Sequence, residues 1–153
     1  MLHSEFMQQA LLLAKNAEKH GDVPVGAVIV CEDKIIAKGQ NKREEAKNSL
    51  LHAEIEAINE ACRVKESKYL TDCTLYVTLE PCPMCAGAII NSRIDRVVFG
   101  AYDDKAGCFG TLADFNSLGF NHKPEIIGGY MEEQCKEVLS DFFEKVRLEK
   151  AEK

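Results

Sequence analysis

His52, Cys82 and Cys85 are the residues of this chain whose types and spacing could hold a metal ion. Glu54 follows His52 by two positions, and the cysteines lie in the sequence Pro-Cys-Pro-Met-Cys. One imidazole and two thiolates suit Zn²⁺, and three protein ligands leave a coordination position for water. Glu54 is a carboxylate that need not bind the metal and could carry protons. The pattern therefore predicts hydrolytic chemistry at a zinc centre.

Two other interpretations of these residues stay open at the level of sequence. A Cys-x-x-Cys pair by itself is also typical of redox sites. A closed structural zinc site could form if Cys73 or Cys108 supplied a fourth ligand. The joint occurrence of His-x-Glu, a strand-like run and Pro81 before the first cysteine favours the catalytic interpretation.

Both ligand segments are expected to begin helices. Apolar spacing predicts a helix over 52–64, and the segment 84–91 is apolar on all sides, as in a largely buried helix. A helix N-terminus carries partial positive charge, which favours thiolates there. In the first helix Glu54 lies on the stripe that should face the core, whereas Glu56 lies on the solvated face. His52 and Glu54 can converge only if the metal lies over the helix end.

The remaining elements complete an α/β fold with three layers. A strand, a helix and a second strand in this order predict a parallel pair joined by a right-handed crossover. The expected architecture is a mixed five-stranded sheet with helices on both faces, in a single zinc-dependent domain spanning 1–153. The other predicted elements are a helix over 4–20, a hairpin of 25–31 and 35–39, strands over 74–79, 96–99 and 125–127, a short helix over 111–116, and a last helix over 131–149.

The composition is that of an ordinary soluble globular protein. Hydrophobic residues make up 46% of the 153 residues and charged residues 29%. The net charge of −6 is not that of a general nucleic-acid binder, which would carry a basic excess. No apolar run is long enough for a bilayer, and the first residues lack a signal-type pattern, so a cytoplasmic location is expected. Seven cysteines, an odd number, argue against a disulfide framework.

The chain resembles the cytidine and deoxycytidylate deaminase superfamily, and within it the bacterial tRNA-specific adenosine deaminases. His-x-Glu followed by Pro-Cys-x-x-Cys is the signature of zinc nucleobase deaminases. Segments outside this signature carry the narrower resemblance, above all Phe-Gly-Ala at 99–101 and Ser-Asp-Phe-Phe at 140–143. The similar segments are 22–28, 39–41, 52–54, 75–88, 96–101, 121–122 and 139–143.

The resemblance implies a cytidine-deaminase-like fold and one Zn²⁺ per subunit, held by His52, Cys82 and Cys85. It implies that Glu54 is the catalytic acid and base in the hydrolytic deamination of adenosine to inosine. The expected substrate is the wobble position in a tRNA anticodon stem-loop. The expected assembly is a homodimer in which each active site borrows residues from the partner subunit.

The resemblance also implies which residues bind the substrate. Asn41 would hydrogen-bond the flipped nucleoside, the Ala53 backbone amide would contact the reacting base, and Val25 would line the base pocket. Asp103 would touch the RNA backbone or ribose. Phe143 would pack near nucleotides of the anticodon loop.

Structural interpretations of some of these residues, and other functions for the chain, stay open. Asn41 could equally be a turn residue, and Phe142 lies on the core stripe of its helix. The chain could instead deaminate a free base or nucleoside such as guanine, cytosine or cytidine, which its acidic charge suits. It could also be a non-catalytic RNA- or protein-binding module, although such a module needs neither a three-ligand metal site nor Glu54.

Overall fold

A computed structural model of the chain describes residues 3–152 and contains one five-stranded sheet with four α-helices. A 3₁₀ turn, Phe115–Ser117, lies in the long connection before the last strand. The elements in chain order are α1 (His3–Lys19), β1 (Gly26–Cys31), β2 (Lys34–Gln40), α2 (Ala53–Lys65), β3 (Cys73–Leu79), α3 (Pro83–Asn91), β4 (Arg96–Ala101), β5 (Glu125–Ile127) and α4 (Glu132–Ala151).

The sheet is mixed and has the strand order β2-β1-β3-β4-β5. Strand β1 pairs antiparallel with both β2 and β3, whereas β3, β4 and β5 are parallel. The β1–β2 hairpin turns at Glu32 and Asp33, whose φ angles of 51° and 61° suit the two central positions of a tight hairpin turn. The predicted mixed sheet, hairpin and parallel crossover are confirmed.

Side chains alternate between two apolar layers, one on each face of the sheet. Leu75 and Val97 belong to the core that packs against α2 and α3. Their neighbours Tyr76 and Val98 belong to the core on the other face, under α1 and α4. This alternation follows from the two-residue period of a strand. It confirms the expected three-layer arrangement with helices on both faces.

The long connection between β4 and β5 departs from the prediction. The helix expected over 111–116 is wrong, because the only helical turn of this connection in the described chain is Phe115–Ser117. Phe109 and Asp114 form an isolated antiparallel bridge that bends the chain back on itself. The Asp114 side chain then caps the 3₁₀ turn by accepting a hydrogen bond from the Asn116 amide. These local hydrogen bonds therefore limit helical structure in this connection to the turn 115–117.

The last helix, α4, lies on the sheet through a single buried side chain, Cys135. The predicted apolar stripe of this helix is otherwise only half-buried. The Cys135 thiol packs so closely against β4 that a Cβ on Gly100 would lie 2.2 Å from its sulfur. Separately, no helix within residues 3–152 is long and apolar enough to cross a membrane.

We expect the burial of Cys135 to make the free energy of unfolding depend on pH in the alkaline range. Burial raises the pKa of its thiol from 9.0 to about 12. Between these values the unfolded chain loses this proton and the folded protein keeps it, so the free energy of unfolding falls as pH rises. The stability advantage of wild type over Cys135→Ala should shrink by up to about 1.4 kcal/mol per pH unit in this range. Urea unfolding at several pH values measures this difference, and a constant difference would contradict the assignment.

Candidate active site

The candidate site lies at one edge of the sheet, where β2, β3 and β4 end and β1 begins. Helices α2 and α3 both start at this edge. His52 is the N-cap of α2 and Cys82 is the N-cap of α3, with Pro83 at the first helical position. Neither N-cap side chain makes a capping hydrogen bond, so both can bind a ligand. The prediction that the ligand segments begin helices is confirmed.

A close contact between α2 and β2 fixes the position of the first turn of α2. A Cβ on Gly39 would lie 2.1 Å from the Ala53 carbonyl oxygen, so only glycine fits at this place in β2. The contact brings His52 and Glu54 over the end of the sheet. His52 and Glu54 therefore reach one cavity from a helix end, as their spacing requires.

The geometry of His52, Cys82 and Cys85 fits zinc. The His52 Nδ1 atom lies 3.5 Å from the Cys82 sulfur and 3.6 Å from the Cys85 sulfur. A tetrahedral Zn²⁺ with bonds of about 2.3 Å to sulfur and about 2.0–2.1 Å to nitrogen separates these atoms by about 3.5 Å. Within residues 3–152, no other group of three His, Cys, Asp or Glu side chains is arranged to hold a metal.

The fourth-cysteine alternative finds no support in this arrangement. Neither Cys73 nor Cys108 belongs to the ligand group. The Cys108 thiol donates instead to the Ala106 carbonyl oxygen at 3.3 Å. The Cys73 sulfur lies 3.9 Å from the Lys65 ammonium. The three-ligand arrangement leaves a coordination position for water.

The two thiols of the ligand group differ in pKa. A hydrogen bond from the Cys85 thiol, with a further one from His52, lowers the pKa of Cys82 from 9.0 to about 4. The same Cys82–Cys85 hydrogen bond, together with burial, raises the pKa of Cys85. The pKa of His52 is raised, chiefly by its hydrogen bond to Cys82. Cys82 therefore holds the anion, and metal binding releases the remaining protons.

Glu54 is the carboxyl group next to the metal-ligand group. Its residue is 4% exposed and lines the same cavity as His52 and Cys82. Burial raises the pKa of Glu54 from 4.5 to about 7. Such a carboxyl can take up and release a proton near neutral pH. The expectation that Glu54 faces inward is confirmed by its burial.

The cavity beside this group has a volume of about 180 Å³ and brings together four of the five residues expected to bind substrate. Val25, Asn41, Ala53 and Asp103 all line it. Phe143 does not line it. Its side chain is 44% exposed and lies in an adjacent groove that also includes Asn41.

Asn41 is both a turn residue and a cavity residue. Its Oδ1 atom accepts a hydrogen bond from the Arg43 amide, and its Nδ2 atom donates to the Val23 carbonyl oxygen, each at 3.2 Å. One amide hydrogen and one oxygen lone pair remain for another partner. Asp103 similarly holds its own loop, because its Oδ1 atom accepts from the Lys105 and Ala106 amides.

Two buried acids near the cavity were missed by sequence reasoning. Asp22 accepts hydrogen bonds from the Glu44 and Glu45 amides at 2.6 and 3.2 Å, which holds the segment after Asn41. Glu80 accepts hydrogen bonds from the loop after β4. The sequence carries a signal for both residues. Asp22 and Glu80 each stand next to an apolar or proline-containing segment at the end of a strand, where a solvent-exposed carboxylate is not expected.

Glu56 also differs from the prediction. It was expected on the solvated face of α2, but its carboxylate accepts a hydrogen bond from the Gln40 amide at 3.1 Å. It also pairs with the Lys42 ammonium at 2.9 Å. The hydrogen bond between Lys42 and Glu56 is the main cause of the raised pKa of Lys42. Glu56 therefore ties the end of β2 to the helix that carries His52.

Comparison with known proteins identifies the family. Residues 1–101 match the family described as cytidine and deoxycytidylate deaminase zinc-binding region. A protein of Bacillus subtilis named tRNA-specific adenosine deaminase is 49% identical over 146 residues, which cover 95% of this chain and 91% of that protein. The chain belongs to the tRNA-specific adenosine deaminase family of the cytidine and deoxycytidylate deaminases. Zinc is thus the cofactor of this deaminase, in agreement with the donor geometry.

Solved structures agree with this placement of the deaminase. One comes from a study of A-to-I editing by tRNA:A34 deaminases at the wobble position of transfer RNA. It has a TM-score of 0.87 and 38% identity, and the match covers 90% of this chain and 100% of that one. A guanine deaminase from Bacillus subtilis has a TM-score of 0.65 and 38% identity, with 78% and 71% of the two chains covered. The cytidine-deaminase-like fold is confirmed.

Zinc content should depend on Cys85 and not on Cys108. We expect Cys85→Ser to weaken zinc binding at least about 100-fold, because changes to residues outside the ligand group already cost about 10–100-fold in metal sites. Mass-spectrometric metal analysis and competition with a chromogenic chelator measure this loss. Cys108→Ser is the matched control, since a hydroxyl can keep the hydrogen bond to Ala106. Wild-type zinc affinity in Cys85→Ser would remove Cys85 from the ligand set.

Proposed function

We propose that this chain hydrolytically deaminates adenosine to inosine at the wobble position of a tRNA anticodon. One observation carries the proposal: buried Glu54 lines a cavity together with His52 and Cys82, two members of the three-ligand group that Cys85 completes. This arrangement occurs in a chain 49% identical, over nearly its full length, to a relative named tRNA-specific adenosine deaminase.

His52, Cys82 and Cys85 would hold the Zn²⁺. When bound, zinc acts as a Lewis acid that makes water nucleophilic at neutral pH. Glu54 accepts a proton from the water that attacks C6 of adenine, and it then protonates the ring nitrogen. Glu54 finally takes the proton of the hydroxyl now on C6 and transfers it to the amine, so the C6–N bond breaks, ammonia leaves and C6 becomes the carbonyl carbon of inosine. Its inward position at the start of α2 keeps the carboxyl over the reacting atoms throughout.

The cavity wall supplies the groups that would orient the base. Ala53 is the first residue of α2, so its N–H has no acceptor within the helix and can donate to the base. The free amide hydrogen of Asn41 can reach the nucleoside, and Val25 gives an apolar surface for the ring. A cavity of this size admits a nucleobase only after it is unstacked, which is easiest in a single-stranded loop.

The RNA around the target base would meet local groups, because the chain as a whole is acidic. Arg43 lines both the cavity and the adjacent groove, and Phe143 lines that groove as well. An arginine and an aromatic ring in one groove can bind a phosphate and stack an unpaired base. Asp103 lines the same cavity and would accept a hydrogen bond from a ribose hydroxyl.

The homodimer and the cytoplasmic location implied by the family resemblance belong to the same proposal. Several large apolar side chains on the connection between β4 and β5 are exposed in the single chain, including Leu112, Leu118 and Phe120. A second subunit that covered them would account for apolar surface of this kind.

A second candidate function is deamination of a free purine such as guanine. The guanine deaminase match at 38% identity favours it, as does the acidic net charge. Both functions use the same metal group and the same acid, so the chemistry does not distinguish them. The substrates do, because one is a polyanionic RNA loop and the other an uncharged base.

Substrate choice can be tested by separate incubations with the two classes of substrate. Zinc-loaded protein is incubated with an anticodon stem-loop that carries adenosine at the wobble position, and separately with free guanine, cytosine and adenosine. We expect inosine in the RNA, detected by nuclease digestion and mass spectrometry, with no turnover of the free compounds. A stem-loop with guanosine at the wobble position is the control. Product from free guanine but none from RNA would establish the second candidate instead.

Glu54→Gln should abolish turnover while zinc stays bound. The amide cannot carry the proton, so we expect kcat to fall by at least about 10²–10⁴. Single-turnover assays on the reactive substrate and metal analysis of the same sample measure both quantities. Glu60→Gln makes the same chemical change on α2 away from the cavity and serves as control. A near-normal rate in Glu54→Gln would assign proton transfer to another group.

A further inference from the structure

Glu80 accepts four hydrogen bonds from the loop that follows β4. It comes directly after β3, precedes Cys82 by two residues and is only 2% exposed. Its Oε1 atom accepts from the Asp103 amide at 3.1 Å and the Thr111 hydroxyl at 2.5 Å. Its Oε2 atom accepts from the Phe109 amide at 3.0 Å and the Thr111 amide at 3.2 Å. One side chain therefore closes a nine-residue loop.

This carboxylate is not part of an ion pair. None of the salt bridges formed by residues 3–152 includes Glu80. A buried carboxylate is costly unless hydrogen bonds satisfy it, and hydrogen bonds to a charged acceptor are stronger than neutral ones. Here the loop supplies every donor. The loop conformation and the charge of Glu80 therefore stabilise each other.

The loop passes so close to Glu80 that its middle has no room for a side chain. A Cβ on Gly107 would lie 2.3 Å from the Glu80 Oε1 atom. The next residue, Cys108, donates its amide hydrogen to the Pro81 carbonyl oxygen at 2.9 Å. The loop is thus joined to the zinc-ligand segment 81–85 by backbone as well as by the carboxylate.

The same loop forms one wall of the candidate active site. Asp103 and Ala106 line the cavity together with Glu80 itself. Both oxygens of Glu80 already accept two hydrogen bonds each, so the group has no free lone pair for a reacting water or base. This occupancy distinguishes Glu80 from Glu54, and it fits a role in holding the wall.

We propose that Glu80 is a positioning residue for the deamination: it fixes the loop 103–111 as a wall of the substrate cavity. Through this wall it determines how tightly the substrate is held, while the metal group and Glu54 act on the base. The inference rests on the proposed function for its kinetic consequence. Its structural part, the anchoring of the loop, does not depend on which base is deaminated.

Glu80→Gln tests the proposal because it keeps the size of the side chain and removes half of its accepting capacity. We expect KM for the deaminated substrate to rise about tenfold or more, with kcat changed less than about threefold and zinc content unchanged. Hydrogen exchange at the Phe109 and Thr111 amides should accelerate by about tenfold or more. A role in stability alone would lower the melting temperature without changing KM of the folded, zinc-loaded enzyme. Glu60→Gln is the matched control.

Thr111→Val is a second variant that keeps the fold even if Glu80→Gln does not. Thr111 is exposed, and valine removes only the hydroxyl hydrogen bond. KM should rise in the same direction but less, and the double variant should fall short of the product of the two effects, because both disturb one contact.

The outcomes separate this inference from the proposed function. Wild-type KM and wild-type amide exchange in both variants would overturn the role of Glu80, as would a loss confined to kcat. If the wild-type protein deaminates a free base and not RNA, the proposed function fails, and KM is then measured with that base. Fast amide exchange in the variants would still support the anchoring of the loop.

Discussion

The convergence of two helix N-termini at one edge of the sheet is the constraint on which the rest of this structure depends. His52 and Cys82 are the N-caps of α2 and α3, and neither side chain makes a capping hydrogen bond, so both can bind a metal. A metal cation at two positive helix ends is tolerable only because two thiolates supply compensating negative charge. The parallel β3–α3–β4 crossover and the close packing of α2 on Gly39 bring these ends together.

Three buried carboxyl groups near this edge of the sheet differ in their environment. Asp22 and Glu80 accept hydrogen bonds chiefly from backbone amides and hold the two segments that flank the cavity. Glu54 is buried without comparable compensation, so its pKa rises to about 7. The contrast is physical: hydrogen bonds stabilise the charge of an anchor, whereas desolvation makes a carboxyl able to exchange its proton. We therefore propose that positioning and proton transfer belong to different acids.

Much of this arrangement could be predicted from the sequence. The metal ligands, the inward direction of Glu54, the hairpin and the parallel crossover all follow from residue types and periodicity over short ranges. The helix expected over 111–116 was wrong because the bridge between Phe109 and Asp114 prevails over local helical spacing. The anchoring role of Glu80 was also missed, because its four donors lie more than twenty residues along the chain.

The sequence by itself determined the chemistry: which atoms can bind zinc, which acid can move protons, and which family the chain resembles. Only the tertiary structure decided where these groups meet and what shape of cavity they share. It placed Asn41, Ala53, Val25 and Asp103 around Glu54 and left Phe143 in the neighbouring groove. The reason is that ligand type is a property of single residues. A cavity wall, by contrast, depends on contacts between segments far apart in the chain, which periodicity does not record.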